Sequence, residues 1–273
     1  MSQNNSWGIV PGSYKLTRAN GTDPINYGQV GILSQFGTAA SNLPKAGATF
    51  AALSSGRARD ADDPDPTADV SYNNDDTAYS HSPPADFVAP HGNALPPTSA
   101  ACPATPSFIN DSAMLTVRLK APSNANSFSF QFRFFSQEYW QYTCTTYNDF
   151  FIAMLDSTWT PDAGQGAIPA DKNISFDESG SYISVNSQMF FTVCAPKSGY
   201  TCPAGTGALA GTGYATEGGG TGWLTTTAPV TPGETITLRF ATWDTSDSWW
   251  DSFVMIDNFR WSATPSSGPA TAE

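Results

Sequence analysis

The chain has 273 residues, 40% of them hydrophobic and 13% aromatic, enough apolar surface for a large core and too much for a disordered protein. Only 13% of residues are charged, and the formal net charge of -12 argues against a nucleic-acid or anionic-membrane partner, because both demand a basic footprint. Cations are the natural partners of such a chain, although the same acidity also serves simply to keep an exported protein in solution. Few Glu, Lys and Arg alongside abundant Gly and Pro predict strands and turns rather than helices. No stretch approaches ~18 consecutive apolar residues, so no membrane-inserted helix is expected. The chain opens MSQNNSWGIV, without the basic start and apolar run of a signal peptide.

In chain order, short apolar runs at Gln29 to Phe36 and Ala48 to Leu53 precede a long segment, Ser54 to Pro106, dense in Asp, Pro, Ser, Asn and Ala. Such a segment cannot pack a core of its own, which predicts a long loop lying over the sandwich or a flexible flap, with residues 1–111 packed on the same domain as the strands that come after them. Within it, Asp60, Asp62, Asp63, Asp65 and Asp69 have the close carboxylate spacing that hard cations favour. Pro64 and Pro66 stand where an EF-hand loop needs ligands or a tight Gly turn, so a solvated acidic loop is the competing reading.

Strands then succeed one another quickly over residues 112–262. Leu115, Val117 and Leu119 alternate with polar neighbours, as do Phe128, Phe130, Phe132 and Phe134, and then Ile236, Leu238 and Phe240. Further runs lie at Phe150 to Leu155, Tyr182 to Val185, Met189 to Val193 and Trp223 to Thr227, with turn signals at Asp177 to Gly180 and Pro232-Gly233. Phe253 to Ile256 is apolar on both faces and reads as a strand covered on both sides. Residues 263–273 are expected to be a flexible tail. The predicted architecture is all-β: an antiparallel, jelly-roll-like β-sandwich with a long irregular N-terminal segment.

Four cysteines, Cys102, Cys144, Cys194 and Cys202, form an even set whose spacing matches no zinc motif. Of the three possible connectivities, the economical one joins Cys194 to Cys202 across a Pro/Gly loop and Cys102 to Cys144. Two bridges point to an oxidising compartment.

Two constellations carry candidate chemistry. Glu138, Asp149, Asp251 and Asp257 lie at or beside strand ends, where a buried carboxylate needs a partner, and with only twelve Lys and Arg in the chain a cation such as Ca2+ is a reasonable one. The alternative is that they cap turns and accept backbone N–H groups. Tyr139 and Trp140 come directly after one strand, and Trp243, Trp249 and Trp250 surround Asp247, the combination of rings and carboxylate that a sugar site requires. The competing reading places Trp243 in the core, and strand alternation would put one ring of the Trp249-Trp250 pair outward and one inward. Catalysis has little support. His81 and His91 both fall in the low-complexity segment, no nucleophile or phosphate motif occurs, and the remaining enzyme reading pairs Glu138 with Asp149 or Asp251 as a glycoside hydrolase.

Three stretches carry a resemblance: FSFQFRFFSQEYWQYTCTTYNDFFIAMLDS from Phe128, KNISFDESGSYISVNSQMFFTVC from Lys172, and GGGTGWLTTTAPVTPGETITLRFATWDTSDSWWDSFVMIDNFRW from Gly218. Together they closely resemble the choice-of-anchor L type domain of bacterial secreted and surface proteins, from about Ser112 to Trp261. The resemblance implies export and a β-rich fold but no reaction, since the family is named for its varied C-terminal anchoring signals. The last residues, SATPSSGPATAE, depart from that pattern in showing no sorting signal, hydrophobic tail or basic stop. The expected function is therefore a non-catalytic extracellular or cell-surface module. Adhesion or glycan binding with calcium support comes first, a subunit that self-assembles with its own copies into a filament, sheath or layer second, and a glycosidase last.

Overall fold

A computed structural model describes residues 6–59, 80–187, 189–197 and 201–273. Its first strands are β1 (Gly8–Ile9), β2 (Lys15–Thr17), β3 (Val30–Leu33) and β4 (Phe50–Ser54), followed by one short helix, α1 (Ala85–Val88). The long strands β5 (Ile109–Lys120), β6 (Ser127–Ser136) and β7 (Phe150–Asp156) come next, then β8 (Ile183–Ser184), β9 (Phe191–Cys194) and β10 (Gly219–Thr221). The chain closes with β11 (Leu224–Pro229), β12 (Thr235–Thr245), β13 (Ser252–Ser262) and β14 (Ala270–Ala272).

All pairings are antiparallel and build two sheets. One runs β1-β5-β12-β7-β8 with β2 also on β5, and the other runs β14-β11-β6-β13-β4-β3 with β10 and β9 attached to β6. The expected β-sandwich is the fold that forms. Its inner layer comes from the alternation read in the sequence: Leu119, Ile236, Leu238 and Phe240 of the first sheet meet Phe128, Phe130, Phe132, Phe134, Val254 and Ile256 of the second.

The alternate residues of the same strands are also apolar, because each sheet is covered on its outer face as well. Phe135, Phe253 and Met255 of the second sheet pack under Phe36, Leu209 and Tyr214, with Phe36 stacked on Phe253 at 3.8 Å between ring centroids. Phe150, Ile152, Met154, Ala241 and Trp243 of the first sheet pack under Phe87, Val88 and Leu95. The described part of Ser54 to Pro106 around α1 thus lies over the sandwich, the first of the two expectations for a segment with no core of its own, and supplies fully buried Phe87, edge-on to Trp243 at 5.9 Å. A short apolar cluster inside a polar segment suffices once a sheet face is waiting for it. The acidic run Asp60, Asp62, Asp63, Asp65 and Asp69 lies outside the described residues.

The tail is likewise not a free end. Thr225, Thr226 and Thr227 of β11 pair with Ala272, Thr271 and Ala270 of β14, so residues 270–272 cover that edge of the sheet. The structure also holds both cysteine pairings, Cys102–Cys144 and Cys194–Cys202. The first ties the covering segment to the turn between β6 and β7.

Candidate functional site

The apolar interior stops short at one end of the sandwich. Register brings the C-termini of β4, β6 and β12 together there with the N-termini of β5, β7 and β13: Ser252 faces Ser136, Phe253 faces Ser54, Trp243 faces Phe150 and Asp244 faces Asn110. On β12 the inward positions Ile236, Leu238 and Phe240 continue as Thr242 and Asp244, and on β7 the inward series of Leu155, Ala153 and Phe151 continues to Asp149. Period-two geometry therefore carries two carboxylates into the space between the sheets. The facing positions on the second sheet are serines: Ser252 Oγ donates to Asp149 Oδ2 at 2.6 Å, and Ser55 Oγ accepts the Ser252 N–H at 2.8 Å.

Glu138, in the turn after β6, accepts the Asp149 N–H through Oε2 at 3.2 Å, and Asp149 Oδ1 accepts the Thr245 N–H at 3.2 Å. Asp111 and Asp251 complete a group of five buried acidic side chains. Asp251 lies so close to Gly56 that a Cβ there would collide with its carboxylate. Burial comes first among the causes that push these groups toward the neutral form. It raises Glu138 well above the ordinary carboxylate value, with the charges of Asp149 and Asp247 adding. Asp244 is raised in the same way, with Asp149, Asp251 and Asp111 adding. Asp149 rises less, to about 7, because hydrogen bonds, led by that from Ser252, favour its ionised form against burial.

Above this plug the loops form an aromatic face. Trp249 is 57% exposed at the tip of the β12–β13 loop, and Asp247 Oδ1 accepts its N–H at 3.2 Å. Trp250, half-buried with a φ of 67°, packs edge-on to Tyr142 at 4.9 Å, and Tyr142 in turn meets Tyr147 at 5.4 Å. Asn110 Nδ2 donates to the Asp247 carbonyl at 2.5 Å, pinning the loop to β5. The loop is tied to the strand and the ring is presented outward.

A model of the choice-of-anchor L domain matches residues 36–260. The chain belongs to the choice-of-anchor L family. The match begins well before Ser112, where the resemblance in the sequence becomes close, and the fold explains why: β4, within the matched span, pairs with β13 through four residues. No curated protein and no solved structure matches the chain significantly. The family makes this a secreted or surface-associated module, and two disulfides suit that setting. It is not a known enzyme family. Burial also keeps Glu138, Asp149 and Asp251 out of a sugar's reach, the pairs on which a glycosidase would depend. His91 is engaged elsewhere, with Nε2 3.1 Å from Asp171 Oδ2 and 3.0 Å from Tyr182 Oη.

The residues singled out in the sequence separate into three places. Glu138, Asp149 and Asp251 come together in the plug. Asp257 does not join them: it sits mid-strand on β13 at a register shift, and its Oδ2 accepts the N–H groups of Lys45 and Ala46 at 2.6 and 2.9 Å, the capping role that was the alternative. Trp249, Trp250 and Asp247 share the loop face. Tyr139 and Trp243 do not reach it, since Tyr139 is buried and stacked on Phe191 at 4.0 Å and Trp243 is a core residue of the first sheet. Trp140 is half-buried beneath the Lys197 ammonium at 4.7 Å. Missed from the metal set was Asp244, although extending the alternation of Ile236, Leu238 and Phe240 by two steps places it inside. Tyr214 carries no local signal, because only the packing of distant segments brings it near.

Proposed function

We propose that this chain is an adhesion module that recognises glycans through the face formed by Trp249, Trp250, Tyr142 and Asp247. The exposed Trp249 ring carries the reading: a large apolar ring held outward by a pinned loop is costly to leave in water and suits the apolar face of a pyranose, with the Asp247 carboxylate placed to accept hydroxyls. The test is binding of the purified protein to an array of bacterial and host glycans, with Trp249→Ala as the comparison. Signal on a subset of glycans that falls at least tenfold in Trp249→Ala supports the reading, whereas undiminished binding by the variant removes it.

Self-assembly is favoured by a different observation. Among the described residues β3 is an edge strand, and its Ile32 is 79% exposed, beside an apolar groove lined by Tyr14, Leu115, Val117, Phe240 and Ile256. An unpaired edge next to an open apolar face is the kind of surface that a neighbouring copy would cover. Concentration-dependent growth in size-exclusion chromatography that is abolished by Ile32→Lys, with no glycan signal, would replace adhesion by assembly.

A further inference from the structure

Among the described residues no three His, Cys, Asp or Glu side chains form a group that could hold a metal ion. The scarce cations, in contrast, gather on one face. Twelve Lys and Arg stand against 24 Asp and Glu, yet Lys15, Arg118, Lys120, Lys172 and Arg239 all lie on or beside the outer face of the first sheet. We infer that this face binds an acidic sugar, whose carboxylate or sulfate is held by Lys15 and Arg118 while its hydroxyls meet Thr116, Thr237 and Asp86. The site goes beyond the adhesion reading and does not rest on it, since Thr237 and Arg239 stand in the first half of β12 and the Trp249 loop follows the last residue of that strand.

Register builds the face. Antiparallel pairing sets Lys15 of β2 opposite Thr116 of β5, and Thr116 opposite Arg239 of β12, so these three side chains share one row across the sheet. The next outward positions pair Arg118 with Thr237, and the ones after that Lys120 with Thr235, while Leu115, Val117, Leu119, Ile236 and Leu238 alternate with them toward the core. Two loops raise walls around this floor. Asn20 and Gly21 after β2 form one, and Pro84 to Asp86 at the start of α1 form another, together bounding a cavity of about 440 Å³. That size falls within the range of roughly 300 to 1,000 Å³ typical of small-ligand sites.

The charges around the cavity select the ligand. Arg239 and Lys172 are both paired with Asp86 and Asp156. The acids of the adjoining turns are also engaged: Asp23 accepts from Asn20 Nδ2 at 2.6 Å, and Glu234 accepts the Ser157 and Thr158 hydroxyls and the Thr231 N–H. Among the described residues no ion pair engages Lys15, Arg118 or Lys120. On a chain of net charge -12, a concave group of unpaired cations is where the field favours an anion. Arg118 suits a carboxylate or sulfate, which its planar fork of donors meets through two parallel hydrogen bonds. A bare anion leaves the rest of the cavity unused, because the floor carries threonine hydroxyls and the far end of the row from Lys15 carries Asp86, which repels a second anion and accepts hydroxyls. A nucleic acid would bring further phosphates against Asp86 and Asp156. A ligand charged at one end and rich in hydroxyls at the other satisfies both ends, and an acidic sugar is such a ligand.

The experiment titrates the whole chain at low salt, in a calorimeter, with a galacturonic acid oligomer, a dextran sulfate oligomer, neutral dextran, inorganic sulfate and oligothymidylate. The expected result is saturable binding of one or both acidic oligomers, weakening as salt is raised, with no heat from neutral dextran. Which oligomer binds identifies the charged group. Lys15→Gln and Arg118→Gln change exposed side chains, so each should keep the parent Tm and weaken binding by about tenfold, the loss of one charge-assisted contact. Arg260→Gln, exposed on the second sheet, and Trp249→Ala should bind like the parent. No saturable binding of either acidic oligomer overturns the site, as does an equal loss in Arg260→Gln, which would reduce the effect to overall charge. Inorganic sulfate or oligothymidylate binding as tightly as the sugar overturns the ligand class. Loss of acidic-oligomer binding in Trp249→Ala would move the sugar to the loop face, whereas failure of the loop face to bind any glycan leaves the Lys15 and Arg118 readouts unchanged.

Discussion

Two tryptophans six positions apart have opposite fates, and the difference lies in the path of each backbone. Trp243 belongs to β12 and occupies the outer face of the first sheet, between Phe87 and Phe150, where the covering segment closes over it. Trp249 comes after a turn in which Ser246 already has a φ of 68°, so strand alternation has ended and the ring is free to point outward. Trp243→Ala should therefore cost ~3 to 5 kcal/mol, while Trp249→Ala should stay within about 0.5 kcal/mol, a contrast that urea denaturation measures directly. Equal losses at both positions would mean that the loop tip is packed.

At the scale of elements, α1 is too short to be stable by itself and depends on the contacts that hold it to the sheet. Asp86 of α1 accepts from Arg239 of β12 at 2.8 and 2.6 Å and from Lys172 at 2.8 Å, while Asp156 of β7 shares both cations. The Arg239 guanidinium, with Lys172 assisting, holds the Asp86 carboxyl well below the usual carboxylate range. A depressed native value means that the stabilisation is complete above the unfolded value of ~4 and is lost as pH falls through the native one. Asp86→Asn should lower Tm relative to the parent protein at pH 6, and the difference should shrink progressively below pH 4. A gap that stays constant down to pH 2 would show that Asp86 contributes packing and not charge. The pair is partly solvated, so the effect should also weaken with added salt.

For the molecule as a whole, the covering segments matter as much as the sheets. The Cys102–Cys144 bridge spans 42 residues and fastens the segment that roofs Phe150 and Trp243 to the turn carrying Tyr142, whereas Cys194–Cys202 closes only 8. On the chain-entropy model the longer link contributes ~4 kcal/mol and the shorter ~2 to 3 kcal/mol. Cys102→Ser with Cys144→Ser should accordingly lower stability more than the matching pair of changes at Cys194 and Cys202. Limited proteolysis should also open the region around α1 first, because the roof loses its tether. Cleavage that begins instead near β9 would contradict this ordering.

Most of the sandwich was legible residue by residue, because an apolar side chain at every second position has one low-energy way to bury itself. Leu115 to Leu119, Phe128 to Phe134 and Ile236 to Phe240 all lie on the strands that their alternation predicted. The same rule, carried two steps past Phe240, puts Asp244 in the interior, so one half of the acidic plug was written in the sequence as well. The partner across the gap is the part that alternation could not supply. Burial of Asp149 and Asp244 acquires its meaning only when register sets the serines of the second sheet opposite them and a distant loop lowers Tyr214 into the same space. Likewise, nothing local marks Phe87 as core or residues 270–272 as a strand, since each is stabilised by a surface that exists only after the sheets have formed. Strand identity and the inward face are local properties of the chain. Which polar groups end up buried together is decided by contacts between residues far apart in sequence, and those belong to the tertiary structure.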